Sequence, residues 1–206
     1  MSKKRTVALV NGIVRMKKYN ASLTEHYEKI GLKVVEYQFP VAKLFCCHLH
    51  HTLEGKVKEI VAADVVHCQS SGFFPILPHM INNKIRKPLI MESPVLSSHT
   101  GTLYAATNKA KHYSDVKQNK LINWLLDTFA FTPAWTKQTL DTLKFAKDSG
   151  DALVLHSDED GVSDVRGLEK SHLTHVWKNG KHARLFHPDT GNDFNVIAKY
   201  IEDYKK

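Results

Sequence analysis

Val65-Val66-His67-Cys68-Gln69-Ser70-Ser71-Gly72-Phe73 decides how this chain is read. Val65 to Cys68 is a short apolar run of the kind that forms a buried strand. Behind it comes a sharp turn with a serine at the apex and then a helix. Cys68-x-Ser70-x-Gly72 is a relaxed form of the G-x-S-x-G elbow. Small residues are needed two positions either side of the serine because the turn is strained and brings strand and helix backbones close together. Cys68 fits less well as the nucleophile, since Val66, two positions before it, is β-branched. An ordinary strand-to-helix turn would contain the same residues, so the distinction rests on the rest of the chain.

Outward from that stretch, strands and helices alternate. Thr6 to Val10 reads as a buried strand, followed by the turn Asn11-Gly12-Ile13. Tyr19, Leu23, Tyr27 and Ile30 recur at helical spacing, with Gly31 as the stop. Leu32 to Tyr37 is a second strand, ended by Pro40. Leu53, Val57, Ile60 and Val61 mark a helix leading into the strand at Asp64–His67. A helix from about Phe73 to Asn83 follows the elbow, with Pro75 and Pro78 confining its first turn. Pro88 to Met91 is the fourth strand and Ala152 to His156 the fifth. A helix is expected from about Ser163 to Trp177, then the Asn179-Gly180 turn and a last strand at His182–Phe186. Phe194, Ile197, Tyr200, Ile201 and Tyr204 form the stripe of a closing helix.

This alternation predicts an α/β fold, a three-layer α/β/α sandwich around a mostly parallel six-stranded sheet. Residues from about 97 to 150 break the rhythm, being longer than a normal crossover. Trp124, Phe129, Phe131 and Trp135 concentrate there. The segment reads either as a cap over a pocket or as two core-packing helices.

Composition sets the bounds. At 206 residues, the chain is expected to form one domain, residues 1–206, with the 97–150 segment as an insertion. No window approaches the roughly 18 consecutive apolar residues of a membrane helix. Three cysteines, two of them adjacent, make no disulfide framework, which points to a reducing compartment and a cytoplasmic location. The net charge of +8 comes from scattered lysines with no nucleic-acid motif, so no nucleic-acid partner is expected. The run Cys46-Cys47-His48-Leu49-His50-His51 concentrates soft ligands but lacks the spacing of a zinc site, and a loop at the pocket rim is the preferred reading. Neither a P-loop nor a G-x-G-x-x-G motif is present, and no cofactor or metal is expected.

In an open parallel sheet the working site lies at the carboxyl ends of the strands. The Ser70 elbow, the Asn11-Gly12-Ile13 turn, the acidic turn Ser157-Asp158-Glu159-Asp160 and the segment after Phe186 all fall there. A serine nucleophile needs a base, a carboxylate to hold that base, and donors for the oxyanion. Ser70 is the candidate nucleophile and Asp160, furthest into its turn, the candidate carboxylate, with Asp158 in reserve. The backbone N–H groups of Ile13 and Ser71 are the candidate oxyanion donors.

The chain resembles the α/β hydrolases, and within them the branch typified by transmembrane-protein-53-like proteins. That branch carries a helix of the form K-Y-x-x-x-Y-x-x-x-G, matched in part by Lys18-Tyr19 and by Tyr27-Glu28-Lys29-Ile30-Gly31. Its H-x-F-S-N-G-G elbow is matched at His67, Ser70 and Gly72. Its D-S-x-P resembles Glu92-Ser93-Pro94, and its Y-S-x-x-D resembles His156-Ser157-Asp158-Glu159-Asp160, which puts Asp160 in the acid position. The resemblance implies a minimal fold that begins at the strand usually third in the superfamily. It also implies a base a few residues beyond the last strand. Two alignments compete there. His187 follows the expected last strand and is the preferred base, whereas a gapless match puts Asn192 in the His position, and asparagine cannot act as a base. His182, read as mid-strand, and His175, read as helical, are taken as structural.

The expected function is therefore a serine hydrolase of the esterase, lipase or thioesterase kind. Ser70, Asp160 and His187 would form its triad, acting on a small ester or acyl substrate. The alternative is a non-catalytic binding or scaffold protein that has lost its histidine. The oligomeric state has no signature in the sequence.

Overall fold

Two-sided burial is what turns short apolar runs into a parallel sheet, and it marks the central strands here. The computed structural model describes residues 4–12, 17–38, 53–94, 152–160, 174–180 and 182–204. The strands are β1 (Thr6–Val10), β2 (Lys33–Tyr37), β3 (Val65–Gln69), β4 (Leu89–Glu92), β5 (Ala152–Ser157) and β6 (Thr174–Trp177). The helices are α1 (Lys17–Lys29), α2 (Glu54–Ala62), α3 (Leu77–Asn82) and α4 (Asn195–Asp203). The sheet runs in the order β2-β1-β3-β4-β5-β6, with every pairing parallel. Every residue of β3, β4 and β5 is buried.

Side chains alternate across the sheet. Val66 and Cys68 of β3 join Leu89 and Met91 of β4 in a core covered by Ile60 of α2 and Met80 of α3. Val65 and Ile90 face the other way, into a core closed by Tyr19, Leu23 and Tyr27 of α1 and by Ile197 and Ile201 of α4. Helices on both faces make the three-layer sandwich expected from the sequence. The chain adds β2 on one side of β1, then crosses to build β3 through β6 on the other. The carboxyl ends of β1 and β3 therefore flank the switch point, where such sheets place their sites.

Two elements differ from the sequence reading. The helix after the elbow is shorter than expected: Ser70–Phe73 form a single 3₁₀ turn, and α3 starts at Leu77 with a proline in its first turn. The larger change is at the far edge. Thr174–Trp177 is the last strand rather than the end of a helix, and His182–Phe186 is a turn rather than a strand. Thr174, Val176 and Trp177 are β-branched or aromatic, as strands prefer, but β6 lies at the edge and Val176 is 41% exposed. It thus lacks the two-sided apolar run that marks β1, β3, β4 and β5. Leu185 and Phe186 are buried because their turn folds down onto the α1–α4 face of the sheet. Gly180, with φ +128, lets the chain double back there; a Cβ on it would lie 3.0 Å from Leu185 Cδ2. The 97–150 insertion and the Cys46–His51 run lie outside the described residues.

Candidate active site

The sequence builds the elbow with two glycines in distinct roles. Ser70 follows β3 directly with φ +51, a conformation that non-glycine residues adopt only when their surroundings enforce it. Gly72 lies under the end of β1, where a Cβ would stand 2.4 Å from the Val10 carbonyl oxygen. Gly12, just after β1, lies against the serine itself, with an added Cβ 2.9 Å from Ser70 Cβ. Cys68 is wholly buried beneath the turn, and burial pushes its thiol far up, so it is no competitor as nucleophile.

Ser70 Oγ lies 2.7 Å from His182 Nε2. On the other side of that ring, His182 Nδ1 lies 2.9 Å from Asp160 Oδ2 and 3.1 Å from Oδ1. An ionised carboxylate can only accept, so Nδ1 carries the proton and Nε2 is left to accept from the serine hydroxyl. The Asp160 side chain is fully buried, and a second histidine, His156, stands 4.0 Å from Oδ2. Asp158 and Glu159 in the same turn are exposed. A hydroxyl, an imidazole and a buried carboxylate in line are the parts of a charge-stabilised proton relay.

His187 is placed elsewhere. Its Nδ1 lies 3.1 Å from the Asp189 carboxylate, within the 3₁₀ turn Pro188–Thr190. Asn192 does not occupy the histidine position either. Its Nδ2 donates to the carbonyls of Asn179 at 2.8 Å and Leu185 at 2.7 Å, clipping together the two ends of the loop that carries His182. The sequence reading missed His182 because it put the last strand at 182–186. With β6 at Thr174–Trp177, His182 becomes the histidine a few residues past the last strand. Of the two candidate oxyanion donors, Ser71 is buried in the elbow; Ile13 lies outside the described residues.

The sequence reading also missed a polar cluster under the site. The two-residue period puts His67 and Gln69 of β3 on the same face as Glu92, which pairs with Gln69 across the sheet. Glu92 Oε2 accepts from His67 Nε2 and Gln69 Nε2, both at 3.1 Å. Its Oε1 accepts from the Tyr19 hydroxyl and, at 3.0 Å, from the Leu185 N–H. The Tyr19 oxygen in turn accepts from the Phe186 N–H at 3.2 Å, and His67 Nδ1 is bonded to the Tyr27 hydroxyl at 2.7 Å. Burial works to raise the Glu92 carboxyl, but His67, Tyr19 and the Leu185 N–H outweigh it and the carboxyl ends below its usual range. Burial, followed by the charge of Glu92, pushes the Tyr19 hydroxyl well up, so it remains a donor. Among the described residues no group of side chains could hold a metal ion.

An all-parallel sheet in this order, with a strained serine at the end of its central strand, is the fold of the α/β hydrolases. The solved structures it is similar to are of that fold. An esterase from Pyrococcus furiosus superposes with a TM-score of 0.63 at 12% identity, over 100% of this chain and 83% of that one. A monoglyceride lipase from Saccharomyces cerevisiae, solved with a substrate analogue, gives 0.57 at 13%, over 98% and 85%. A thioesterase domain from the curacin biosynthetic pathway gives 0.58 at 11%, over 99% and 92%. No family model matches the sequence, and no curated protein does either. No described helix is long and apolar enough to cross a membrane.

Proposed function

We propose that this protein is a serine hydrolase that cleaves an ester-type bond through Ser70, His182 and Asp160. The observation that carries the reading is the single imidazole of His182, bonded to Ser70 through Nε2 and to Asp160 through Nδ1. Ser70 Oγ attacks the substrate carbonyl while its proton passes to Nε2. Asp160 holds the ring in the required tautomer and balances the imidazolium charge. The N–H groups of Ser71 and Ile13 are assigned to the oxyanion. The imidazolium then protonates the leaving alkoxide or thiolate. In the second half-reaction, Nε2 takes a proton from water as it attacks the acyl-enzyme. His182 then returns a proton to Ser70 as the acid leaves.

Within the superfamily, the elbow and the His156–Asp160 motif support placing the chain near the transmembrane-protein-53-like branch. The position of His182, a few residues past β6, agrees with where that branch keeps its histidine. The substrate is assigned as a small ester or acyl compound, on the same grounds as the triad. The activities named for the structural neighbours, esterase, lipase and thioesterase, are all of this reaction type. The rival reading, a scaffold without a base, depended on Asn192 standing in the histidine position. A cytoplasmic location is supported by the cysteine usage alone.

A fluorophosphonate probe tests the proposal. The native protein is expected to be labelled and the Ser70→Ala variant not; an unlabelled native protein would overturn it.

A further inference from the structure

A buried carboxylate that contributes no atom to the serine–histidine–aspartate relay is bonded to the segments that carry both its serine and its histidine. Glu92 Oε2 is held by the side chain of Gln69, the residue immediately before Ser70. Glu92 Oε1 is held by the N–H of Leu185, in the turn that carries His182. Tyr19, reaching in from α1, donates to the same Oε1 and accepts the next amide, that of Phe186. Two successive backbone donors of the histidine turn are thus anchored to one buried acid and one buried phenol, not to a strand partner. Glu92 is fully buried and Tyr19 nearly so. A charge in that position is costly unless every bond is made, which is why such a cluster fixes geometry so firmly.

We propose that Glu92 and Tyr19 are positioning residues, holding the 182–186 turn at the height above β3 and β4 at which His182 meets Ser70. The inference rests on the hydrolase reading above and names what aligns its base. Hydrogen bonds to ionised groups are short and directional, and a misplacement of about 1 Å in a reacting pair slows reaction on the order of 100-fold. The loss falls on kcat, since both anchors are buried and out of reach of a bound substrate.

Tyr19→Phe removes the donor to Glu92 and the acceptor for Phe186 together. Glu92→Gln turns an amide NH₂ toward groups that, in the native fold, all donate to Glu92. Both are expected to lower kcat on a p-nitrophenyl ester and the rate of fluorophosphonate labelling by about 10-fold or more, with KM within about two-fold of native. Tyr27→Phe is the contrast: it breaks the bond to His67 at the far side of the cluster and touches neither loop amide. It is expected to lower the melting temperature while kcat stays native. A native kcat in Tyr19→Phe, or an equal loss in Tyr27→Phe, would overturn the inference. Hydrogen exchange on the native protein needs no variant to fold. The Leu185 and Phe186 amides are expected to exchange far more slowly than those of an exposed turn, and exchange as fast as an exposed turn would overturn it. A native protein that reacts with no probe removes the hydrolase reading and this one with it, whereas a labelled native protein with native-like Tyr19→Phe removes this one alone.

Discussion

Gly12 and Ser70 are in contact with no room between them: a Cβ on Gly12 would stand 2.9 Å from Ser70 Cβ and 3.2 Å from the Gln69 carbonyl oxygen. The turn after β1 therefore acts as a wall behind Ser70, which keeps its φ of +51 against it. Gly12→Ala is expected to push the serine off its line to His182. Overpacking of this kind costs about 1–3 kcal/mol. The labelling rate is expected to fall roughly 10- to 100-fold. Denaturant melts paired with labelling rates on the folded protein measure both.

The two histidines separate cleanly. His182→Ala is expected to reduce turnover by about 1000-fold or more, as loss of a base does in serine hydrolases generally. His187→Ala is expected to leave kcat and KM within about two-fold of native, since its imidazole is engaged with Asp189 in its own turn. Steady-state kinetics on a chromogenic ester give the comparison, and an inverted result would return the role to His187.

Gly72 offers a stability test independent of chemistry. A methyl group there would lie 2.4 Å from the Val10 carbonyl oxygen and 3.0 Å from that of Asn11, both backbone atoms of β1 and its turn. Neither can move without disturbing the β1–β3 pairing. Gly72→Ala is expected to destabilise the fold by about 3 kcal/mol or more, read as a shift in the urea midpoint.

Acid stability follows from Glu92. Its carboxyl lies below its unfolded value in the fold despite the opposing effect of burial. The stabilisation this represents is complete above the unfolded carboxyl range of about 4.3 and drains away as pH falls from there through the folded value. Urea melts between pH 6 and pH 3 are expected to show the native protein losing stability more steeply than Glu92→Gln. At neutral pH the variant is expected to be less stable by about 1–3 kcal/mol. Parallel curves for the two proteins would remove Glu92 from the account of acid sensitivity.

What could be read in advance follows the physics of burial. Central strands announce themselves because both faces are covered, so β1, β3, β4 and β5 were found within a residue or two. β6 was not, because an edge strand with an exposed Val176 offers no such run, while Leu185 and Phe186, buried in a turn, imitate one. That single misplacement moved the expected base from His182 to His187. Ser70 and Asp160 were legible because their neighbours carry the signal: small residues around the first, a buried strand before the second. The Glu92 cluster was invisible for a different reason. His67, Gln69 and Glu92 sit among apolar residues in strands, and only the register His67↔Ile90 and Gln69↔Glu92 shows that they share a face.

Ser70 and its proposed partner hang from parts of the sheet with unequal support. Ser70 closes a strand flanked on both sides, by β1 and β4; the turn of His182 trails from β6, which has β5 alone as a neighbour. Edges open first in native-state fluctuations. Detaching that margin would strand the serine intact in its elbow, correctly bent and chemically inert. On the hydrolase reading proposed above, reactivity of Ser70 is thus a running report on whether the rim of the sheet is docked, and mild denaturant is expected to silence it before the centre unfolds.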